Sequence, residues 1–439
     1  MNPGRAATPS ASDRGAGLRY LLLLAWRNLA RHRRRTVITL LALAFSIAVF
    51  IFMDSMLRGI DKESQRNLVW YETGSGRVVT SAQHDDLDRV ALKHELIEYR
   101  RVGAVLAELG IANTPRIGFD GEMFFGEGSL PIRLIAINPA TDGEVFRLQD
   151  TLVAGSDYLE PGSSGLILGA WMTDDLGMVL GDIVEVRTRT RHGAMQVLEL
   201  ELVGTLLSPN PTINRGVGFV PLDVAQYDLE MEGVTEIALG AMPSRLGRPV
   251  AVPTGTFLAR EIDRVSARLE REFPGVAAVG WPRLARDYLA MMESERSGNA
   301  LLLLLVFLIA AVGISNTMLI AAYERIREFG MMRALGMADG ALRATMVIEA
   351  GLIGCFGSLC GVLLGAVAVY FLVNQGIDMS RFYGDISLGY RVTAVFRGAW
   401  NPGTMAVAMA FGVLASMVIA LLPARRALRL DIVHCLRHE

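Results

Sequence analysis

The chain has 439 residues, of which 51% are hydrophobic and 20% charged, and its mean hydropathy is +0.35. Soluble globular domains rarely combine such values, whereas a membrane protein with one large water-facing domain does. Lys+Arg 43 against Asp+Glu 45 leaves a net charge of −2, which argues against a nucleic-acid partner, and the three cysteines fall in an apolar run (Cys355, Cys360) and a terminal tail (Cys435), where no disulfide is expected.

Residues 1–17 are small and polar and have no means of building a core. From Leu18 the stretch LRYLLLLAWRNLARHRRR starts apolar and ends in Arg31, Arg33, Arg34 and Arg35. The basic cluster follows the apolar part and no small-residue cleavage site is present, so residues 1–35 are expected to be a cytoplasmic terminus with an amphipathic helix rather than a secretory signal. Residues 36–53 carry no charge and Asp54 closes them, giving a first span over 36–54. The arginines before it hold the amino terminus in the cytoplasm. Helical spacing over 55–71 predicts that the span runs on as a stalk.

A water-facing domain is expected over 55–298, outside the membrane and of α+β class. RVVTSA, NTPRIGF, EMFF and PIRLIAI read as strands, residues 85–109 as a charged helix, and VTEIALGAM, residues 256–273 and VAAVGW repeat a strand, helix, strand order. Between these lies a strand-rich insert at about 138–232, with GLILGAWM, DIVEVRTRT, MQVLELELVGTLL and GFVPL, so two subdomains are expected. Residues 282–299 lead back as a second stalk.

Residues 299–322 hold no charge, and at about 1.5 Å per residue such a helix crosses a hydrocarbon core of about 30 Å. Over 323–343 the chain turns amphipathic. Glu324, Arg325, Arg327, Glu328 and Arg333 lie over an apolar set of Ile326, Phe329, Met331, Met332 and Leu335, with Glu324 and Arg327, and Arg325 and Glu328, at i,i+3 spacing. Gly330 and Gly336 permit a bend and a stop. A third span follows at 344–374, with Glu349 near its start and Gly357, Gly361 and Gly365 at four-residue intervals, a spacing that lets helices approach closely in lipid. Residues 375–403 read as a short outer loop, 404–422 as a fourth span, and 423–439 as a cytoplasmic tail with Arg425, Arg426 and Arg429. The fold class expected is therefore a four-span α-helical membrane protein with a large extracytoplasmic α+β domain.

Asn316-Thr-Met-Leu, Glu324-Arg325-x-Arg327-Glu328-Phe329-Gly330 and Arg333-Ala334-Leu335-Gly336 resemble the coupling region of the FtsX/MacB/Lol-type permeases of ABC transporters. Leu176-Gly177-x-x-x-Gly181-Asp182 is similar to a run in that family's outer domain, and the PARRAxR tail from Pro423 to its closing element. The resemblance implies that Glu324, Arg325, Arg327, Glu328, Phe329, Gly330, Arg333, Leu335 and Gly336 dock into a partner ABC ATPase dimer, which binds ATP and Mg²⁺. It also implies a second copy or a paralogous permease beside this chain, and the inner membrane of a bacterium as its place. The cargo stays open: lipoproteins lifted from the membrane, as by Lol-type permeases; efflux with a periplasmic adaptor, as by MacB; or, as for FtsX, control of a cell-wall hydrolase.

No enzyme chemistry is expected in the chain itself. An ATPase needs a Gly-rich loop ending in Gly-Lys-Ser/Thr to cradle phosphates, and neither Lys62 nor Lys93 follows a glycine. His84-Asp85-Asp86-Leu-Asp88 and His94-Glu95-x-x-Glu98 bring potential metal ligands together, yet acids at a helix start explain them without a metal. Ser163-Ser164-Gly165 lacks the Gly-x-Ser-x-Gly elbow and reads as a turn. Glu349 fits structural pairing near the inner interface better than a proton relay.

Overall fold

A computed structural model describes residues 27, 33–84, 92–126, 128–155, 158–294, 297, 298, 301, 304, 305, 308, 312, 315, 319, 320, 326–378 and 395–428. The described residues within Met1–Ile60, Ser294–Asp378 and Val395–Glu439 form one compact unit and those within Asp61–Glu293 another. Helix α1 (Arg33–Leu68) begins in the first and ends in the second, closing in a π-helical turn at Val69–Thr73.

The water-facing unit is built on strands β1 (Gly76–Thr80), β2 (Asn113–Phe125), β3 (Gly128–Ile137), β4 (Leu152–Ala154), β5 (Gly165–Gly169), β6 (Ile183–Arg189), β7 (Met195–Leu206), β8 (Val217–Pro221), β9 (Glu236–Leu239) and β10 (Val276–Gly280). Between them lie helices α2 (Tyr99–Glu108), α3 (Pro139–Val145), α4 (Ala170–Leu176), α5 (Pro211–Gly216), α6 (Leu222–Asp228) and α7 (Gly255–Glu272). Two helices start on the same local signal. Asn138 and Asn210 are N-caps whose side-chain oxygens accept from Ala140 N and Thr212 N, each at 3.1 Å, and a proline follows each where a lost donor costs nothing. Helix α7 buries Leu258, Ile262, Val265 and Leu269 at helical spacing, while its other face stays polar.

Hydrogen bonding runs as one continuous sheet through the region expected to hold two subdomains. Strand β2 is shared. Its start pairs with β9 from Asn113 to Arg116, and its end pairs with β6 from Glu122 to Phe124. From β2 the ladder passes to β3, on in parallel to β8, then to β5, β7, β6 and back to β2, so six strands close a small barrel. Four of these strands come from the region read as an insert and two from its flank. Alternation along β6 and β7 decides the inside: Val184, Val186, Leu198, Leu200 and Leu202 are buried, with exposed residues between them. Of the remaining four strands, β4 pairs with β7, while β9, β1 and β10 extend the sheet from β2.

A buried ion pair ties the barrel's edge to α3. Arg116 donates to Asp142 Oδ1 from Nη2 at 2.7 Å and from Nε at 2.9 Å, both side chains are 1% exposed, and the guanidinium lies 3.4 Å from the centre of the Phe146 ring. Burial pushes the Asp142 carboxyl above its ordinary range, against the pull of Arg116 and of the Tyr158 hydroxyl. The helix expected from residue 85 starts only at Tyr99, because Leu96 is held in a β-bridge to Val234 and is buried; residues 85–91 lie outside the described residues.

In the other unit, α1 is joined by α8 (Ile326–Ala334), α9 (Asp339–Asn374) and α10 (Pro402–Leu428). Among the described residues three helices are long and apolar enough to cross a membrane, in the ranges Thr36–Thr73, Asp339–Asn374 and Pro402–Leu422. The expected second span at 299–322 falls mainly outside the described residues, as do most of 1–35 and much of 375–403 and 423–439. One boundary differs from expectation: the third span's helix starts at Asp339 rather than 344, directly after an extended Ala338 (φ −66, ψ 140). The fourth apolar range ends at Leu422, and its helix runs on past Pro423 to Leu428; a proline removes one donor, and Ala424 beside it is fully buried.

Candidate coupling site

Helix α8 presents Arg327, Met331 (48% exposed) and Leu335 (87% exposed) to its surroundings, while Gly330 is buried and Glu328 half-buried. Glu324 and Arg325 lie outside the described residues, and of Phe329 only its place in the helix is described.

The end of α8 is a Schellman motif. Gly336 takes the left-handed conformation (φ 92), its N–H bonds the Arg333 carbonyl at 3.0 Å, and the Met337 N–H bonds the Met332 carbonyl at 3.0 Å. Met332, Met337 and Met346 all pack against Leu342, which is 0% exposed. Arg333 crosses the turn to pair with Asp339, Nε to Oδ1 3.0 Å. Asp339 and Leu342 were not among the residues expected to matter. The only sign of them in the sequence is an acid and an apolar residue just past a glycine stop, with no period to mark them.

Helix α9 lies against both neighbouring spans. A Cβ placed on Gly357 would meet Leu43 Cδ2 at 2.8 Å; on Gly361, Ala44 O and Ile47 Cβ, each at 2.8 Å; on Gly365, Ile51 Cβ at 3.0 Å. Leu43, Ala44, Ile47 and Ile51 of α1 are at most 2% exposed. Gly354 faces α10, where Ser416 Cβ and Oγ stand 2.9 Å from such a Cβ. Glu349 is buried, at 9% exposure. Towards the other end of α1, Asp54 pairs with Arg58 and accepts from Asn401 Nδ2 at 3.1 Å, and Ser55 exchanges two bonds of 3.0 Å with Ala399.

Elsewhere, Glu95 pairs with Arg191 and accepts from Gly233 N, and Ser163 Oγ bonds the Glu160 carbonyl at 2.8 Å within a turn. Among the described residues no group of three or more His, Cys, Asp or Glu side chains could hold a metal ion. The run Leu176–Asp182 joins α4 to β6, with Gly177 and Gly181 at positive φ and Asp182 Oδ2 accepting from Val179 N at 2.8 Å.

Residues 300–432 match the FtsX-like permease C-terminal family. The chain is 24% identical over 446 residues to the lipoprotein-releasing system transmembrane protein LolC of Xylella fastidiosa, covering 96% of this chain and 98% of that protein. It is 23% identical over 462 residues to the macrolide export ATP-binding/permease protein MacB of a Shewanella species, covering 99% of this chain and 62% of that protein. The periplasmic region of MacB from Actinobacillus actinomycetemcomitans is similar at 10% identity and a TM-score of 0.33, over 51% of this chain and 95% of that one. Residues 300–432 therefore carry an FtsX-like permease C-terminal domain, and nearly the whole chain is similar to LolC and MacB.

Proposed function

We propose that this chain is a permease subunit of the bacterial inner membrane that works with a separate ABC ATPase dimer and a second permease chain to release lipoproteins from that membrane. The observation that carries this reading is length. The match to LolC runs nearly end to end on both chains, whereas 62% of MacB is enough to cover 99% of this one. In addition, neither Lys62 nor Lys93 follows a glycine, so these 439 residues hold no phosphate-cradling loop of that kind. Nucleotide binding closes the ATPase dimer, α8 moves with it, and the spans carry the motion to the water-facing unit. Residues 299–322 serve as the second span and both termini lie in the cytoplasm.

A second reading, efflux as by MacB without a fused ATPase, is favoured by one feature. The turn between β6 and β7 is short, with Thr190 N bonding Ala194 O at 2.8 Å, and it is tied down by Arg191 N to Leu229 O at 3.0 Å and by the Arg191–Glu95 pair. Such a turn leaves no long hairpin with which to hold a carrier protein. Affinity purification from the native host separates the readings. An ATPase with lipid-modified proteins supports lipoprotein release; an ATPase with a periplasmic adaptor supports efflux. A cell-wall hydrolase in their place supports an FtsX-like role. Nucleotide hydrolysis by the purified chain alone overturns all three. Changing Glu328 or Gly330 is expected to lose the ATPase.

A further inference from the structure

The corner between α8 and α9 is built as one piece. Two backbone hydrogen bonds cap α8, Leu342 is enclosed by methionines from both sides of the turn, and Arg333 reaches across it to Asp339. Beyond the corner α9 continues unbroken to Asn374. Along its length Gly357, Gly361 and Gly365 bring the α9 backbone tightly against Leu43, Ile47 and Ile51 of α1 and, at Gly361, against the Ala44 carbonyl, so the seam has little room to absorb a displacement.

We infer that α8 and α9 move as a single body and that the third span delivers the motion of α8 to α1 across the glycine face, which makes α1 an output element alongside the second span. Leu342 and Asp339, the latter through its pair with Arg333, are positioning residues for this step: they fix the angle at which α8 drives α9. The inference rests on reading α8 as the helix that docks on the ATPase.

The test uses the full chain with its ATPase, in a background with Cys355, Cys360 and Cys435 changed to serine. A fluorophore pair at Tyr227→Cys (86% exposed) and Leu363→Cys (58% exposed) reads movement of the water-facing unit when nucleotide is trapped with ATP and vanadate. Leu342→Ala is expected to keep the ATPase bound while the nucleotide-driven change in energy transfer falls about threefold to tenfold. Asp339→Arg is expected to do the same, and Asp339→Glu, which keeps a carboxylate for Arg333, to preserve the change, a rescue that general loosening would not produce.

Locking the seam provides the opposite control. In Leu43→Cys with Gly357→Cys, the Leu43 Cβ lies 3.2 Å from a Cβ built at 357, close to disulfide spacing. Oxidation is expected to leave the nucleotide-driven change intact, because the two helices travel together. If the ATPase stays bound and Leu342→Ala leaves the change untouched, or if the disulfide abolishes it, the inference is overturned. Should Glu328 and Gly330 variants keep their ATPase, the reading of α8 as the docking helix fails instead.

Discussion

Glycine to alanine at two positions of α9 gives a sharp test of how the spans pack. In an exposed helical position this change stabilises by about 0.5–1 kcal/mol, because alanine restricts the unfolded chain and favours helix. Gly340, in the first turn of α9, has nothing within 4 Å of a built Cβ, so that gain is expected in full. At Gly361 the same methyl group would sit 2.8 Å from Ala44 O and from Ile47 Cβ, and 3.0 Å from Ile47 Cγ2. A backbone oxygen has no rotamer to turn away, so α1 and α9 must part; overpacking of this kind costs about 1–3 kcal/mol. Gly361→Ala is then neutral to about 2 kcal/mol destabilising, and the two variants differ by about 1–3 kcal/mol. Parallel unfolding of both variants in mild detergent by graded sodium dodecyl sulfate, followed by circular dichroism, measures that difference. Equal stabilities, or a more stable Gly361→Ala, would refute the packing argument.

Arg116→Met leaves Asp142 buried without its cation and should cost the water-facing unit about 3–5 kcal/mol in urea unfolding. Burial already raises the Asp142 carboxyl above its ordinary 3.8 and loss of Arg116 removes the pull that lowers it, so protonation relieves the unpaired charge; the deficit of the variant should shrink as pH is lowered and grow as pH rises. Gly336→Ala forces a side chain into φ 92 and should lower thermal stability by about 1 kcal/mol, whereas Gly216→Ala, at ordinary φ with open space around it, should not. Asn401→Ala removes the bond to Asp54 and a contact to Thr404 N at 3.4 Å, and about 1 kcal/mol should be lost; full stability in the same detergent assay would show that this clasp contributes nothing.

Properties that are local in the chain were legible in advance. Uncharged runs marked the regions of α1, α9 and α10, alternating apolar residues marked β6 and β7, and the i, i+4, i+7 pattern of Leu258, Ile262 and Val265 marked α7, since each follows from the period of one element against one apolar phase. The glycines at 357, 361 and 365 announced a close helix contact but not its partner. Only the packed chain assigns α1 to that face and α10 to Gly354.

Barrel closure was hidden for a similar reason. Strand β2 serves two neighbours along its length, and nothing in its own thirteen residues says that Glu122 will lie opposite Arg187. Arg116 reads as a surface charge until Asp142, 26 residues on, is folded beneath it. The bracket of Arg333, Leu342 and Asp339 likewise spans a glycine turn that breaks any period. Composition and periodicity thus determined which segments meet lipid, water or a core, because transfer from water depends on each segment alone. Which segments meet each other was decided by tertiary structure, where burial, backbone pairing and steric fit act between residues that the sequence keeps apart.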